Sequence, residues 1–207
     1  MATPAEVRPD SIVLDSSGYV QLVDMRYSAR AEPAPTDFCG YAHYLSPEQV
    51  SGQGHGHAAD FWALGILTYE MITGGANPWL TGDPAKDSEV GIYQRISTHA
   101  ANGLVFPEGV SASDELVEML NGFMHPDEAM RLGNRGVGPR EVRQANWFAD
   151  FKWEQLESGK MDAPHQKQAA AAVEAALQAH AMPDAAPDAS CDQSLFSGYS
   201  TLFDSKP

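Results

Sequence analysis

Residues 56–70, Gly-His-Ala-Ala-Asp-Phe-Trp-Ala-Leu-Gly-Ile-Leu-Thr-Tyr-Glu, decide how the chain is read. The run is apolar on nearly every face, which predicts a buried helix over 58–73 rather than a surface one. Gly74-Gly75 supplies its stop. Asp60 interrupts the apolar pattern, and a carboxylate seldom enters an interior without a partner. The expectation is that Asp60 holds the backbone amides of a nearby loop and so positions a functional segment.

Working outward, Ser11-Ile-Val-Leu14, Asp15-Ser-Ser-Gly18 and Tyr19-Val-Gln-Leu-Val23 read as two short strands around a tight turn. Residues 25–57 lack a sustained period and read mostly as loop, a length that marks functional or disordered segments. Beyond the central helix, Ser88 to Thr98 reads as a second helix. Ser111-Ala-Ser-Asp114 carries a capping signature before Leu116, Val117, Leu120 and Phe123, so a third opens there. Pro139 is suited to start a short helix leading to Trp147 and Phe148.

Asp60, Trp62 and Gly65 form an Asp-x-Trp-x-x-Gly pattern. Around it lie Gly18-Tyr-Val-Gln-Leu-Val-Asp24, Cys39-Gly-Tyr-Ala-His-Tyr-Leu-Ser-Pro-Glu48, Arg131-Leu-Gly-Asn134, Asn146-Trp-Phe148 and Phe151-Lys-Trp153. In this order the motifs resemble the large lobe of eukaryotic Ser/Thr protein kinases, in particular the cyclic-nucleotide-dependent (AGC-type) group, over about residues 7–165. The resemblance implies an α+β, mainly α fold: a kinase-like large lobe with a short β-hairpin and lacking the small lobe. An irregular start covers residues 1–6, and an Ala-rich, disordered tail is expected over 166–207, in which Ala169 to Ala181 favours helix but is too uniform in Ala to bury much area. Leu195-Phe196 and Leu202-Phe203 in that tail are weak candidates for docking back onto the lobe.

Several site roles follow from the resemblance. Phosphoryl transfer needs metal ligands, a proton acceptor and cations rather than covalent chemistry. Asp24 falls at the principal magnesium ligand and Ser11 at the second, where a hydroxyl is a poorer ligand than the usual amide carbonyl. Glu6 stands at the proton-accepting carboxylate, one methylene longer than Asp, a displacement of about 1 Å that can cost a hundredfold. Arg8 stands at the phosphate-contacting cation, and Val13 and Val23 at the floor of the adenine pocket. Met25-Arg26 replaces the usual Phe-Gly, placing a side chain where Gly permits angles that Arg adopts only with strain.

Asp10 and Glu70 match two acidic positions that grip a substrate arginine. Tyr41, with His43, occupies the segment receiving the residue after the phosphoacceptor. Asp37 lies in the activation segment where relatives carry a phosphothreonine, and one carboxylate charge partly mimics the nearly two of phosphate. Glu48 and Arg131 match a buried ion pair and, with Asp60, form the structural set. The resemblance implies ATP and magnesium in intact relatives. A Gly-rich loop and strand Lys have no counterpart here, so nucleotide binding is expected to be weak or absent and the chain inactive alone, either as a kinase fragment or as a non-catalytic scaffold for a basic peptide.

Composition narrows the partners. The 207 residues carry a formal charge of −15, which disfavours nucleic acid because phosphate backbones require Lys and Arg clusters. A basic peptide or protein is the complementary class, with a kinase small lobe or regulatory domain as a further docking partner. Cys39 and Cys191 lie far apart in unlike segments, so a reducing, cytoplasmic compartment is expected rather than a disulfide framework. Neither a leader nor a membrane span is read from the apolar pattern. His55 and His57 flank Gly56, but two imidazoles do not complete a metal site, and they read as loop residues.

Overall fold

In the computed structural model the described residues are 2–3, 7–25, 28–30 and 40–179. Strands β1 (Ala2–Thr3), β2 (Ile12–Leu14), β3 (Val20–Leu22) and β4 (Ala29–Arg30) form two antiparallel pairs, β1 with β4 and β2 with β3. Helices α1 (Pro47–Val50), α2 (Ala58–Thr73), α3 (Glu89–Asn102), α4 (Asp114–Phe123), α5 (Arg140–Arg143), α6 (Trp153–Glu157) and α7 (Gln166–Ala179) supply the rest. Short 3-10 turns at Pro9–Ser11, Ala42–Tyr44, Glu128–Met130 and Asn146–Phe148 connect them.

The hairpin pairs Ile12 with Leu22, Val13 with Gln21 and Leu14 with Val20. Asp15 fixes its turn by accepting from the Ser17 and Tyr19 amides at 2.8 and 3.0 Å. Those bonds hold the Asp15 carboxyl below its ordinary range, the Tyr19 amide contributing most.

Helix α2 runs over the residues its apolar pattern indicates, and Gly74 ends it at φ 73°, a left-handed conformation that suits Gly. Trp62 and Ile66 on this helix are fully buried. Helix α3 begins where the Ser88 hydroxyl accepts from the Gly91 amide at 3.3 Å, and it turns Ile92, Ile96 and His99 inward at helical spacing. Helix α4 begins at Ser113, which accepts from the Leu116 amide, and buries Leu116, Met119, Leu120 and Phe123.

Gly65 permits the close packing of α2 on α4. A methyl group there would lie 2.8 Å from Phe123 Cβ and 2.9 Å from Met124 Cγ, well inside van der Waals contact. Around this contact Trp62 and Trp79 stack at 5.6 Å, and His99 meets both rings edge-on. The core therefore sits between α2, α3 and α4, with Leu132 and Tyr44 closing its ends.

Two chain ends differ from expectation. The irregular start contains β1, which pairs with β4. The Ala-rich stretch forms α7 as far as Ala179, and Ala169 on it is buried. The reason is a long-range contact: Tyr19 Oη donates to the Met161 carbonyl at 2.8 Å, and a methyl at Gly18 would meet Ala163 Cβ at 2.7 Å. The segment before α7 is thus folded against the hairpin turn. Cys191 and the two Leu-Phe pairs lie outside the described residues.

Candidate functional site

The Pro9–Ser11 turn sets the first half of the site. Ser11 is fully buried, and its hydroxyl donates to the Arg8 carbonyl at 2.9 Å while accepting from the Arg8 amide at 3.1 Å. That double bond to one residue closes the turn and aims the hydroxyl into the protein. Asp10 projects outward, with its side chain 77% exposed. Arg8 Nη1 donates to Asp10 Oδ2, and the guanidinium lies 4.0 Å above the Tyr41 ring centre. Arg8 is itself buried, held between a carboxylate and an aromatic face.

The Ala42–Tyr44 turn and the end of α2 set the second half. Glu70 is gripped from two sides: Tyr44 Oη donates to Oε2, and Asn77 Nδ2 donates to Oε1 at 2.8 Å. Asn77 is buried and accepts from the Trp79 amide at 2.9 Å, so its own orientation is fixed. Burial pushes the Tyr44 phenol far above its ordinary value, and the Glu70 carboxylate adds to that shift, so Tyr44 keeps its proton and donates it to Glu70.

His43 lies between the Tyr41 and Tyr44 rings, at 6.3 and 5.2 Å. Burial lowers its pKa and the Arg8 charge lowers it further, while Glu70 opposes both. The same electrostatic neighbourhood therefore contains Arg8, Asp10, His43, Tyr44 and Glu70.

The scaffold pair lies deeper. Arg131 Nη1 and Nη2 donate to Glu48 Oε1 and Oε2 at 2.6 and 2.8 Å, a bidentate contact. Arg131 also donates to the Ala58 and His125 carbonyls at 2.9 and 3.1 Å and stands 5.3 Å from the Trp62 ring centre. Burial works to raise the Glu48 pKa, yet the Arg131 hydrogen bonds and charge outweigh it and hold the carboxyl below its ordinary value.

Asp60 departs from expectation. Its carboxylate has no hydrogen-bond partner among the described residues, and burial alone pushes its pKa up to about 7. Among the described residues the expected grip on loop amides is not formed; Asp60 is a half-buried acid at the start of α2.

The nucleotide side is more open. Val13 and Val23 are exposed, as are Leu14, Val20 and Met25 along the same hairpin. Asp24 follows β3 and is partly buried, and the Val23 amide beside it donates to the Ser11 carbonyl at 2.9 Å. Protein kinases generally use ATP and magnesium. The donor set fits poorly a site needing two protein ligands for the metal, since Ser11 turns its hydroxyl to Arg8. Among the described residues no group of three or more His, Cys, Asp or Glu side chains is arranged to hold a metal ion. Glu6, Arg26 and Asp37 lie outside the described residues.

Two contributors were not singled out from the sequence, Tyr44 and Asn77. Asn77-Pro78 is a turn signal that hints at a fixed side chain after α2. Nothing local marks Tyr44 as the partner of a residue 26 positions away.

The described residues thus form a mainly helical lobe in which the buried Arg131–Glu48 pair ties α1 to the core. The family model for the protein kinase domain matches residues 5–148. The chain is 31% identical over 159 residues to the cAMP-dependent protein kinase catalytic subunit PRKX of Mus musculus, covering 77% of this chain and 42% of that protein. It is 32% identical over 161 residues to the cAMP-dependent protein kinase catalytic subunit of Dictyostelium discoideum, covering 77% and 23%. With human cGMP-dependent protein kinase 2 it shares 28% identity over 171 residues, covering 82% and 21%. The chain belongs to the protein kinase domain family, among relatives of the cyclic-nucleotide-dependent Ser/Thr group, and spans less than half the length of these relatives. Among the described residues, no helix is long and apolar enough to cross a membrane.

Proposed function

We propose that this Ser/Thr protein kinase-family domain holds an arginine-containing peptide or protein segment through Glu70 and Asp10, and that the chain alone does not transfer phosphate. The observation that carries the reading is the fixed Glu70 carboxylate. Tyr44 and Asn77 orient both of its oxygens by donation, which leaves lone pairs for a guanidinium and removes the entropy cost of ordering the acid. Asp10 supplies a second, outward-facing carboxylate from the neighbouring turn.

Support for weak catalysis comes from substitutions rather than from chain length. Ser11 directs its hydroxyl inward, and Met25-Arg26 stands in place of Phe-Gly beside Asp24. Asp24 itself retains a carboxylate, which favours the second reading, that of a kinase portion acting with an ATP-binding segment. The exposed valines of the hairpin suit a small lobe or regulatory domain as the partner that covers them. A cytoplasmic location belongs to the same reading.

Two assays test it. No magnesium-dependent phosphorylation of an arginine-rich peptide by this chain is expected, and clear turnover abolished by Asp24→Asn would overturn the inactive reading. Calorimetric titration with the same peptide is expected to show affinity reduced by Glu70→Ala; equal binding by both forms removes Glu70 from the site.

A further inference from the structure

We infer that Arg8 is a specificity-determining residue of this peptide site, an internal arginine that occupies Asp10 and leaves Glu70 as the principal carboxylate for an incoming guanidinium. The inference rests on the peptide-binding reading above and concerns its selectivity.

Asp10 is exposed and so reachable by a ligand, yet its Oδ2 already accepts from Arg8 Nη1. Arg8 is buried with its guanidinium over the Tyr41 ring, so it is not free to swing into solvent. It also acts electrostatically on His43 and Tyr44, the residues surrounding Glu70. One positive charge thus offsets one of the two negative charges that would otherwise face a basic ligand. Among the described residues, Arg8 pairs with Asp10 on its own turn, lies against the Tyr41 ring and acts by its charge on His43 and Tyr44, the same two side chains on which Glu70 of α2 acts.

A consequence separates this role from simple packing. A ligand with one arginine uses Glu70 and is little affected by Arg8. A ligand with two adjacent arginines needs both carboxylates and competes with Arg8 for the second. Arg8→Gln, which keeps length and polarity without the charge, is expected to tighten binding of a short two-arginine peptide about fivefold, the worth of one unit charge near contact in a water-exposed setting. Binding of the one-arginine version is expected to change less than twofold. Arg8→Lys, which keeps the charge, should resemble the parent.

The test is calorimetric titration of the parent, Arg8→Gln, Arg8→Lys and Glu70→Gln chains with both peptides, alongside thermal melting of each. Equal or weaker two-arginine binding by a folded Arg8→Gln variant overturns the inference. If Arg8→Gln fails to fold, the Nε–H resonance of Arg8 in the parent serves instead: it should move on saturation with the two-arginine peptide and stay still with the one-arginine peptide, and an unmoved signal in both overturns the inference. Binding that is lost in Glu70→Gln but indifferent to Arg8 retires this proposal alone. Absence of binding to the parent and to Arg8→Gln retires the peptide-site reading with it.

Discussion

Two Arg-carboxylate pairs in this molecule have the same chemistry and opposite settings. Arg131 and Glu48 are 83 residues apart in sequence, both buried, joined by two bonds and reinforced by two backbone carbonyls. Arg8 and Asp10 are two residues apart on one turn, with the arginine buried and the carboxylate open to water. The first pair fixes α1 onto the core, and removing either partner strands a charge in a dry interior. The second is partly solvated, so changing it retunes a surface charge. The contrast teaches that ion-pair geometry alone does not assign a role; burial of both partners makes a scaffold, and burial of one makes an adjustable site.

The scaffold region should suffer most when disturbed. Arg131→Ala leaves Glu48 buried without its cation, and unfolding in denaturant should show a loss of roughly 3–5 kcal/mol. Retention of the parent midpoint would mean the pair is structurally idle.

Asp60 gives the next effect, and it is pH-dependent. Its folded pKa is about 7, above an unfolded value near 3.9. Between those values the folded state keeps a proton that the unfolded state has released, so stability falls as pH rises from about 4 to about 7. With its partial solvent contact, a change of about 2 kcal/mol is expected across that window. Asp60→Asn should flatten this part of the profile, measured as melting temperature against pH. A parent profile that rises over the same range would contradict the burial of an unpartnered acid.

Gly65→Ala should follow at roughly 1–2 kcal/mol, since the added methyl presses on Phe123 and Met124 and the helices must part to admit it. At the low end, Arg143 pairs with Glu157 at 2.5 Å and lies over Trp153, but both ionic side chains are half exposed. Arg143→Ala should cost under about 1 kcal/mol. A larger loss there than at Arg131 would invert the comparison between buried and surface pairs.

Much of the lobe was legible because its signals are local. The continuous apolar run gave α2, Gly74 its end, and Ser88 and Ser113 the starts of α3 and α4. The hairpin followed from two β-rich runs around Gly18. The site was legible by residue but not by contact. The sequence marks Glu70 as an acidic grip, yet its orientation depends on Tyr44 and Asn77, brought near only by the packing of a turn against the end of α2. The sequence gives no sign that Arg8 and Asp10 pair, and only the 3-10 turn, closed by Ser11, brings them together. Asp60 shows the converse: an apolar flank correctly signals burial without identifying a partner. The helix preference of the Ala-rich segment is legible in its composition, whereas its placement is not, because that depends on the distant hairpin turn.

Glu70→Gln tests the central claim most directly, because the amide removes the charge while its oxygen can still accept from Asn77 and its nitrogen can donate to Tyr44 Oη. Titration with an arginine-containing peptide and thermal melting should be measured on the same samples. Peptide affinity is expected to fall about tenfold, the loss of one charge-assisted contact, with the melting temperature nearly unchanged. Unaltered affinity, or affinity and stability falling together, would contradict a fixed Glu70 carboxylate as the seat of a basic ligand.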